Sequence, residues 1–422
     1  MWNETAFPGS SMLAKNTSSV AKSATSSDLA NTWVNFRNAP RSMAAPTHWS
    51  DTMNDSVCDA PGAPPREDRA PVGPDLVLQG ADPEELLDLY AGRGWGDGLP
   101  LIAPTPERVD RMLSTNAPDP APDPDELVAT LPPRQGQATR RVLAINAVLA
   151  GCPPGVLPVL VAAVRALARP EMNLRGVNAT THPVAPLVIV HGAAVDGLGF
   201  NSGLGAFGPG NRPNATLGRA LRLVLLHVAG ARPGDGDAST QGQPSKYSYC
   251  IAENTAASPW EGYAHHRGIT SASAVTVACG ENPHNFHDME SDQPAPILDK
   301  CASVMATLGS NNAPVSAAEF FVVLGPEHAT TCAASGWTRR DVQSYLYERA
   351  RLPAARLRGA FDVTQRRPWL HALRDEDAMP VTDHPDNVRV LVSGGPGKHS
   401  CVIPSWGMTR SVTLPLEAME DR

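Results

Sequence analysis

The chain has 422 residues, of which 41 are proline and 35 are glycine, and its formal net charge at neutral pH is -8. Glycine falls far short of every third residue, which excludes collagen, and long apolar runs exclude a wholly disordered chain. A modest negative charge without basic stripes argues against a nucleic-acid partner. Seven cysteines without a CxxC pair do not form a disulfide framework and fit a reducing cytoplasm better.

Targeting and membrane signals are missing from the sequence. Residues 1–4 lack the basic start and apolar core of a signal peptide. The most apolar run, from Val156 to Leu167, is too short to span a bilayer and contains Arg165. We therefore expect a cytoplasmic protein with no membrane partner, and a homo-oligomer is compatible with the sequence.

The first part of the chain divides into a leader and a helical portion. Residues 1–74 contain only six Leu, Ile or Val, which predicts a disordered leader and linker. Residues 75–184 are predicted to be helical: Asp82-Pro83 and Thr105-Pro106 are typical helix starts. Two apolar helices are predicted at 139–150 and 154–168, and the tight break between them indicates a helical hairpin.

Residues 185–422 alternate between short β-rich runs and helical stretches. Strands are predicted at 186–191, 247–252, 274–279, 320–324 and 388–392, and helices at 215–229, 297–308 and 338–350. Thr338 and Asp341 have the spacing of a capping box. This alternation predicts an α/β fold, with a mixed or mostly parallel sheet flanked by helices. The segments 75–184 and 185–422 are either two portions or one domain, and no fixed-period repeat is found.

Polar loops that follow the predicted strands are the best indication of a functional site. Four of them carry histidine (190–192, 279–285, 324–328 and 393–400), and a fifth, 249–254, ends in a thiol, a carboxylate and an amide. In open α/β sheets ligands bind beyond the carboxyl ends of the strands, so these loops predict one cleft. The alternative is that each histidine caps a helix or binds a backbone carbonyl.

The leading hypothesis is an enzyme of the lyase or hydrolase type that acts on a small anionic molecule by His/Glu acid–base chemistry. His284 or His399 would shuttle a proton, and Glu253 would act as a base or ligand. The residues predicted to bind the substrate are Asn211, Arg212, Arg219, Lys246, Asn254, Asn285 and Lys398.

A divalent metal is compatible with the spacing of His284 and His287, because imidazole binds zinc, iron or manganese. The predicted ligands are His284, His287 and His328, with His399 as another candidate from a neighbouring loop. The spacing matches no known zinc motif, so metal-assisted and metal-free chemistry both stay open.

The glycine-rich tract 201–212 contains GxGxxG, but no dinucleotide is expected there. That motif should follow its strand closely and open a helix, whereas Pro209 and Pro213 delay the next helix. The tract could instead bind an anion at a helix N-terminus, with Arg212 and Arg219 nearby. A tight surface loop that needs positive φ angles is an equal alternative.

Two further functions remain open. In the first, Cys250 or Cys152 attacks a disulfide or accepts sulfur, and a separate thiol redox protein is the partner. In the second, the chain binds an anionic ligand without catalysis.

Six short strings in the chain resemble a poorly characterised bacterial family, some members of which are joined to a redox module with a UGSC or CGSC motif, where U is selenocysteine. The strings lie at 96–100, 179–183, 207–212, 249–254, 305–312 and 394–400, and the resemblance covers residues 76–412. It implies a bacterial, cytoplasmic enzyme. The chain has no CGSC string, so the resemblance carries no independent thiol–disulfide role.

Overall fold

The computed structural model describes residues 82–315, 318–360 and 373–417. The predicted leader at residues 1–74 lies outside this part of the chain. Within it, no helix combines the length and the apolar character that crossing a membrane requires.

Short strands and helices alternate through the described residues. The strands are β1 Leu127–Leu131, β2 Gly136–Thr139, β3 Ala185–Gly192, β4 Arg232–Pro233, β5 Gly236–Asp237, β6 Cys250–Ala252, β7 Ser273–Gly280, β8 His284–His287, β9 Phe320–Leu324, β10 Arg351–Pro353, β11 Ala378–Pro380, β12 Val388–Val392, β13 His399–Pro404 and β14 Val412–Pro415. The helices are α1 Pro83–Gly92, α2 Pro106–Ser114, α3 Arg140–Ala150, α4 Leu157–Leu167, α5 Leu174–Ala179, α6 Ala193–Gly197, α7 Arg212–Val224, α8 Tyr263–His266, α9 Pro294–Met305, α10 Asn312–Val315, α11 Pro326–Ala334, α12 Arg339–Arg349 and α13 Ala354–Ala360.

Eight of the strands form two four-stranded mixed sheets. The first sheet has the order β14-β7-β3-β6 and the second has the order β12-β9-β13-β8. In each sheet one pair is parallel, β3 with β6 and β9 with β12, and the other neighbours are antiparallel. The predicted fold class, a mixed sheet arrangement flanked by helices, is therefore confirmed.

The two sheets pack face to face, because alternate side chains of their central strands meet in one buried layer. Leu187 and Ile189 of β3 belong to the same apolar cluster as Phe321 and Val323 of β9. Side chains alternate across a strand, so the intervening residues face outward. One apolar layer therefore lies between the two sheets, and further apolar layers lie between each sheet and the helices outside it.

Helices cover the outer face of each sheet. The apolar residues of α3, α4 and α7 pack against the first sheet, and those of α9, α11 and α12 pack against the second. The close packing of α7 on β6 requires Gly218, where a Cβ atom would lie 2.5 Å from the backbone nitrogen of Tyr249. Helices from the predicted N-terminal portion share a hydrophobic core with strands of the α/β portion.

The two sheets have the same strand order and directions, although the sequence shows no fixed-period repeat. β3, β6 and β7 correspond to β9, β12 and β13, and each set is completed by a strand from the other half of the chain: β14 pairs with β7, and β8 pairs with β13. The carboxyl ends of β6 and β12 meet, since the N–H of Asn254 donates to the carbonyl of Val392 at 2.8 Å. The two sheets therefore share one backbone topology, although their amino-acid sequences show no repeat.

Most predicted elements are confirmed, and the capping box of Thr338 and Asp341 is present. The predicted helical hairpin is also found, with α3 ending at Gly151 at a φ of 84°. Three strands that complete the two sheets, β8, β13 and β14, were not predicted from the sequence. β8 is four residues long with two histidines and an asparagine, a composition that lacks the β-branched character typical of strands.

Candidate functional site

A cavity of about 510 Å³ lies at the amino ends of β3 and β6. Its charged lining residues are Asp97, Arg222, Arg232, Asp237 and Lys246. We call it the basic cavity. Its volume is in the range of sites that take small molecules.

Helix α7 places two arginines at this end of the first sheet. The helix starts at Asn211, whose side chain accepts from the backbone N–H of Asn214. Arg219 and Arg222 are three residues apart and therefore neighbours on one face of the helix. After α7 a π-helical turn at Leu225–Ala229 carries Leu226 into the cavity wall, and such turns are frequent at functional sites.

Asp237 binds two of the cations in the cavity. Its Oδ2 atom lies 2.7 Å from Lys246 Nζ and 3.2 Å from Arg222 Nη2, while Oδ1 accepts from Ser239 at 2.7 Å. Burial raises the pKa of this carboxyl, but the hydrogen bonds from Lys246 and Ser239 outweigh burial and hold the pKa below its ordinary value. Burial lowers the pKa of both Lys246 and Arg222. One carboxylate is thus shared by two cations.

Arg232 contributes a third positive charge. Its Nη2 atom donates to the carbonyl of Gly94 at 2.9 Å, and no carboxylate of the described residues lies within 4.0 Å of its guanidinium. The loop that carries Arg232 and Asp237 turns at Gly236, at a φ of 101°, where a Cβ atom would lie 2.2 Å from the carbonyl oxygen of Gly230. Only glycine fits at this position.

The second carboxylate of the cavity, Asp97, is paired with an arginine that does not line the cavity. Asp97 accepts two hydrogen bonds from Arg219, at 2.7 and 2.8 Å, and both side chains are largely buried. Arg219 also donates to the carbonyls of Leu99 and Pro100. The pair therefore fixes the loop 96–100 as a wall, and the cavity keeps an excess of two positive charges.

A histidine and a glutamate lie directly behind the cavity wall. His182 Nε2 is 2.8 Å from Glu281 Oε1. Two residues of the lining lie next to this pair: Ser239 Oγ is 3.4 Å from the carbonyl oxygen of His182, and Gln243 donates to the carbonyl of Gly280. The Nδ1 atom of His182 is buried and has no hydrogen-bond partner among the described residues.

The predicted cleft at the carboxyl ends of the strands corresponds to a second, more open cavity of about 530 Å³. The loops after β6, β9 and β12 meet there, and they place Asn254, Glu327 and Lys398 in its lining. Asn254 Nδ2 donates to the carbonyl of Gly394 and Glu327 accepts from the N–H of Gly397. We call it the carboxyl-end cavity. Of the predicted site residues, the structure brings together only Asn254 and Lys398 here.

The predicted base Glu253 lies in the closed layer between the sheets. Its Oε2 atom is 2.7 Å from His191 Nδ1, and its Oε1 atom accepts from the N–H of Tyr263 at 2.7 Å. His191 Nε2 is in turn 2.8 Å from Thr276 Oγ1. Glu253 is fully buried and lines neither cavity, so the structure places it in an internal hydrogen-bond network of the first sheet and α8.

The predicted metal ligands are not brought together. His284 and His287 are three residues apart on β8 and project from opposite faces. His328 is buried, with Nδ1 2.8 Å from Ser400 Oγ and Nε2 3.3 Å from the carbonyl of Asp288. Across residues 82–315, 318–360 and 373–417, no three His, Cys, Asp or Glu side chains converge as metal ligands. The predicted proton shuttle His399 is exposed, 3.1 Å from Asn285.

The glycine-rich tract forms a tight loop with positive φ angles, as its second interpretation expects, and anion binding at the helix N-terminus stays a prediction. Gly205 and Gly210 have φ angles of 71° and 108°. The side chain of Asn211 caps α7, and Arg212 donates to the carbonyls of Gly151 and Cys152. Arg212 and Arg219 are therefore bound to protein groups. Of the four cations predicted to bind the substrate, only Lys246 lines the basic cavity.

The cysteines of the described residues are all buried and free. Burial raises the pKa of Cys152 to about 12 and raises that of Cys250 further. A thiol that attacks a disulfide must be exposed and readily ionised, so these positions give the thiol hypothesis no support.

Several residues of the basic cavity escaped the sequence analysis. Arg222 and Arg232 flank the π-helical turn, and Asp237 lies in the short Gly/Pro loop that follows Arg232. His182 lies in one of the strings that carry the family resemblance, and that string was the one signal that pointed to it.

No protein-family profile matches the chain, and no curated protein is similar enough to count as a relative. The resemblance of residues 76–412 to the bacterial family with UGSC or CGSC modules stays a prediction.

Proposed function

We propose that the protein is an enzyme that binds a small anionic molecule in the basic cavity. The observation that carries this proposal is the convergence of Arg222, Arg232 and Lys246 on one cavity with too few carboxylates to neutralise them. Buried charge is costly unless it is paired, and an anionic ligand would supply the missing negative charge.

The donors define the chemical class of the ligand. The guanidinium group of arginine matches the geometry of a carboxylate or phosphate, and lysine adds a point charge. Ser239 and Gln243 add neutral hydrogen-bonding groups to the lining. A metabolite-sized carboxylate or phosphate ester that also carries hydroxyl or carbonyl groups fits this combination.

The acid–base part of the proposal rests on His182 and Glu281. A carboxylate that accepts from one imidazole nitrogen fixes the tautomer and leaves the other nitrogen able to take a proton. Here Glu281 holds Nε2, and Nδ1 is the free nitrogen. Because Nδ1 is buried and neither residue lines the basic cavity, a proton would have to pass between this pair and the ligand through an intervening water molecule. Such a relay would suit a lyase or hydrolase reaction.

Binding is tested by calorimetric titration of the full chain with inorganic phosphate and with citrate. We expect binding that Arg232→Ala weakens about tenfold or more, since a hydrogen bond to a charged group contributes about 1.5–3 kcal/mol. Arg349→Ala is the matched control, because Arg349 is an exposed arginine paired with Asp299 on the other side of the fold. Equal affinity of the native protein and Arg232→Ala would exclude the cavity as the anion site.

Catalysis is tested by following a mixture of small anionic metabolites by mass spectrometry. We expect the native protein to consume one of them and His182→Asn to bind it without consuming it. Binding with no turnover by the native protein would instead favour the non-catalytic ligand-binding function, which uses the same cavity.

A further inference from the structure

Two exposed histidines lie side by side on the second sheet. The antiparallel pairing of β8 and β13 sets His287 directly opposite His399. The N–H of Asp288 donates to the carbonyl of Lys398. His287 and His399 are therefore a non-hydrogen-bonded pair of the antiparallel ladder. Opposite side chains approach most closely at such positions.

The two rings lie close enough for one ion to bind between them. Their centroids are 5.5 Å apart, with an angle of 34° between the ring planes. His399 Nδ1 lies 3.1 Å from Asn285 Oδ1, and because the amide oxygen only accepts, Nδ1 carries the proton and Nε2 keeps its lone pair. A histidine that binds a metal through one ring nitrogen usually donates a hydrogen bond from the other nitrogen, as His399 does here.

We propose that His287 and His399 form a two-histidine site for a divalent transition-metal ion such as Zn²⁺. The imidazole nitrogens supply two ligands, and water completes the coordination on this exposed strand edge. Imidazole favours zinc, copper and nickel, whereas magnesium and calcium take oxygen ligands. This site goes beyond the proposed anion-binding function, because none of its residues lines the basic cavity.

The site lies next to the carboxyl-end cavity. Lys398 precedes His399 and lines the carboxyl-end cavity, and its Nζ atom donates to the carbonyl of Met289 at 3.0 Å. An ion on the histidine pair would therefore lie beside the loop that forms one wall of that cavity. The ligand pair differs from the set that spacing in the sequence suggested, since His284 faces the other side of β8.

The test is calorimetric titration of the full chain with Zn²⁺, in the native protein and four single variants. We expect one bound ion that is lost in His287→Ala and in His399→Ala and retained in His284→Ala. The last variant is a matched control, because His284 is an equally exposed histidine on the same strand. Asn285→Ala should weaken binding about tenfold, since outer hydrogen bonds to a metal-ligating histidine have effects of this size.

The proposal would be overturned by either of two results. One is the absence of a bound ion in the native protein at micromolar zinc. The other is an ion that persists in the double variant His287→Ala/His399→Ala, which would place it on other residues. All of these side chains are exposed, so the variants should fold, and unchanged circular dichroism would verify that they do.

Discussion

The two cavities of the protein lie at opposite ends of β6 and have nearly the same volume, about 510 and 530 Å³, but they are built differently. Largely buried ion pairs form the walls of the basic cavity, with a surplus of positive charge. Backbone contacts and one lysine and one glutamate form the carboxyl-end cavity. Cavity size therefore says little about function here, whereas uncompensated charge points to one end of the sheet.

The largest effect should come from breaking the ion pair that forms the wall of the basic cavity. We expect Arg219→Ala to lower the free energy of unfolding by about 4 kcal/mol, because it leaves the carboxylate of Asp97 buried without a partner. Lys398→Ala, in the carboxyl-end cavity, should change it by less than about 0.5 kcal/mol. Urea unfolding of both variants measures these two changes. Similar losses of unfolding free energy in the two variants would contradict the expected difference between the cavities.

The next effect concerns the histidine in the π-helical turn beside the basic cavity. Burial and the charge of Arg232 lower the pKa of His227 from 6.5 to about 4. The unfolded state therefore binds more protons between these values, and stability is lost as the pH falls through this window. The free energy of unfolding should therefore be lower at pH 4.5 than at pH 7, and His227 should account for about 2 kcal/mol of that difference. The variant His227→Gln keeps a donor for Asn146 and should lose this part of the pH dependence. An unchanged pH dependence would contradict this assignment.

A smaller effect is expected on the pH dependence of anion binding. Since burial and Arg222 hold the pKa of Lys246 below its ordinary value, Lys246 should lose its proton, and the cavity its affinity, at a lower pH than an ordinary lysine would. Arginine stays protonated, so Lys246→Arg should extend phosphate binding to higher pH. Lys398→Arg is the control and should leave the alkaline limb of the titration in place.

The smallest effect is expected for a lysine of the carboxyl-end cavity. Lys398→Ala should change phosphate affinity less than twofold, as a hydrogen bond contributes only when its donor is at the site. A loss as large as that of Arg232→Ala would move the anion site to the carboxyl-end cavity, where the sequence analysis expected it.

The sequence was informative where local pattern decides structure. Apolar runs predicted five of the eight strands of the two large sheets, at 186–191, 247–252, 274–279, 320–324 and 388–392. The spacing of Thr338 and Asp341 predicted a cap. Pairing between distant segments has no such local signal. β8 and β14 each join the sheet of the other half, so which histidine lies opposite His287 depends on contacts more than a hundred residues apart.

The site was harder to predict for the same reason. Whether a cation is available to a ligand depends on its partners: Arg212 binds carbonyls and Arg219 binds Asp97, whereas Arg232 has no carboxylate within reach. All three looked alike in the sequence. The expectation that polar loops at strand ends form one cleft held for Asn254 and Lys398, while Glu253 turned inward between the sheets.

Crystals soaked in selenate test the central claim most directly, because the anomalous signal of selenium shows where an anion binds. We predict an anomalous peak within hydrogen-bonding distance of Arg222, Arg232 and Lys246, and its loss in Arg232→Ala crystals. A peak found only in the carboxyl-end cavity, or none in the basic cavity at saturating selenate, would contradict the account.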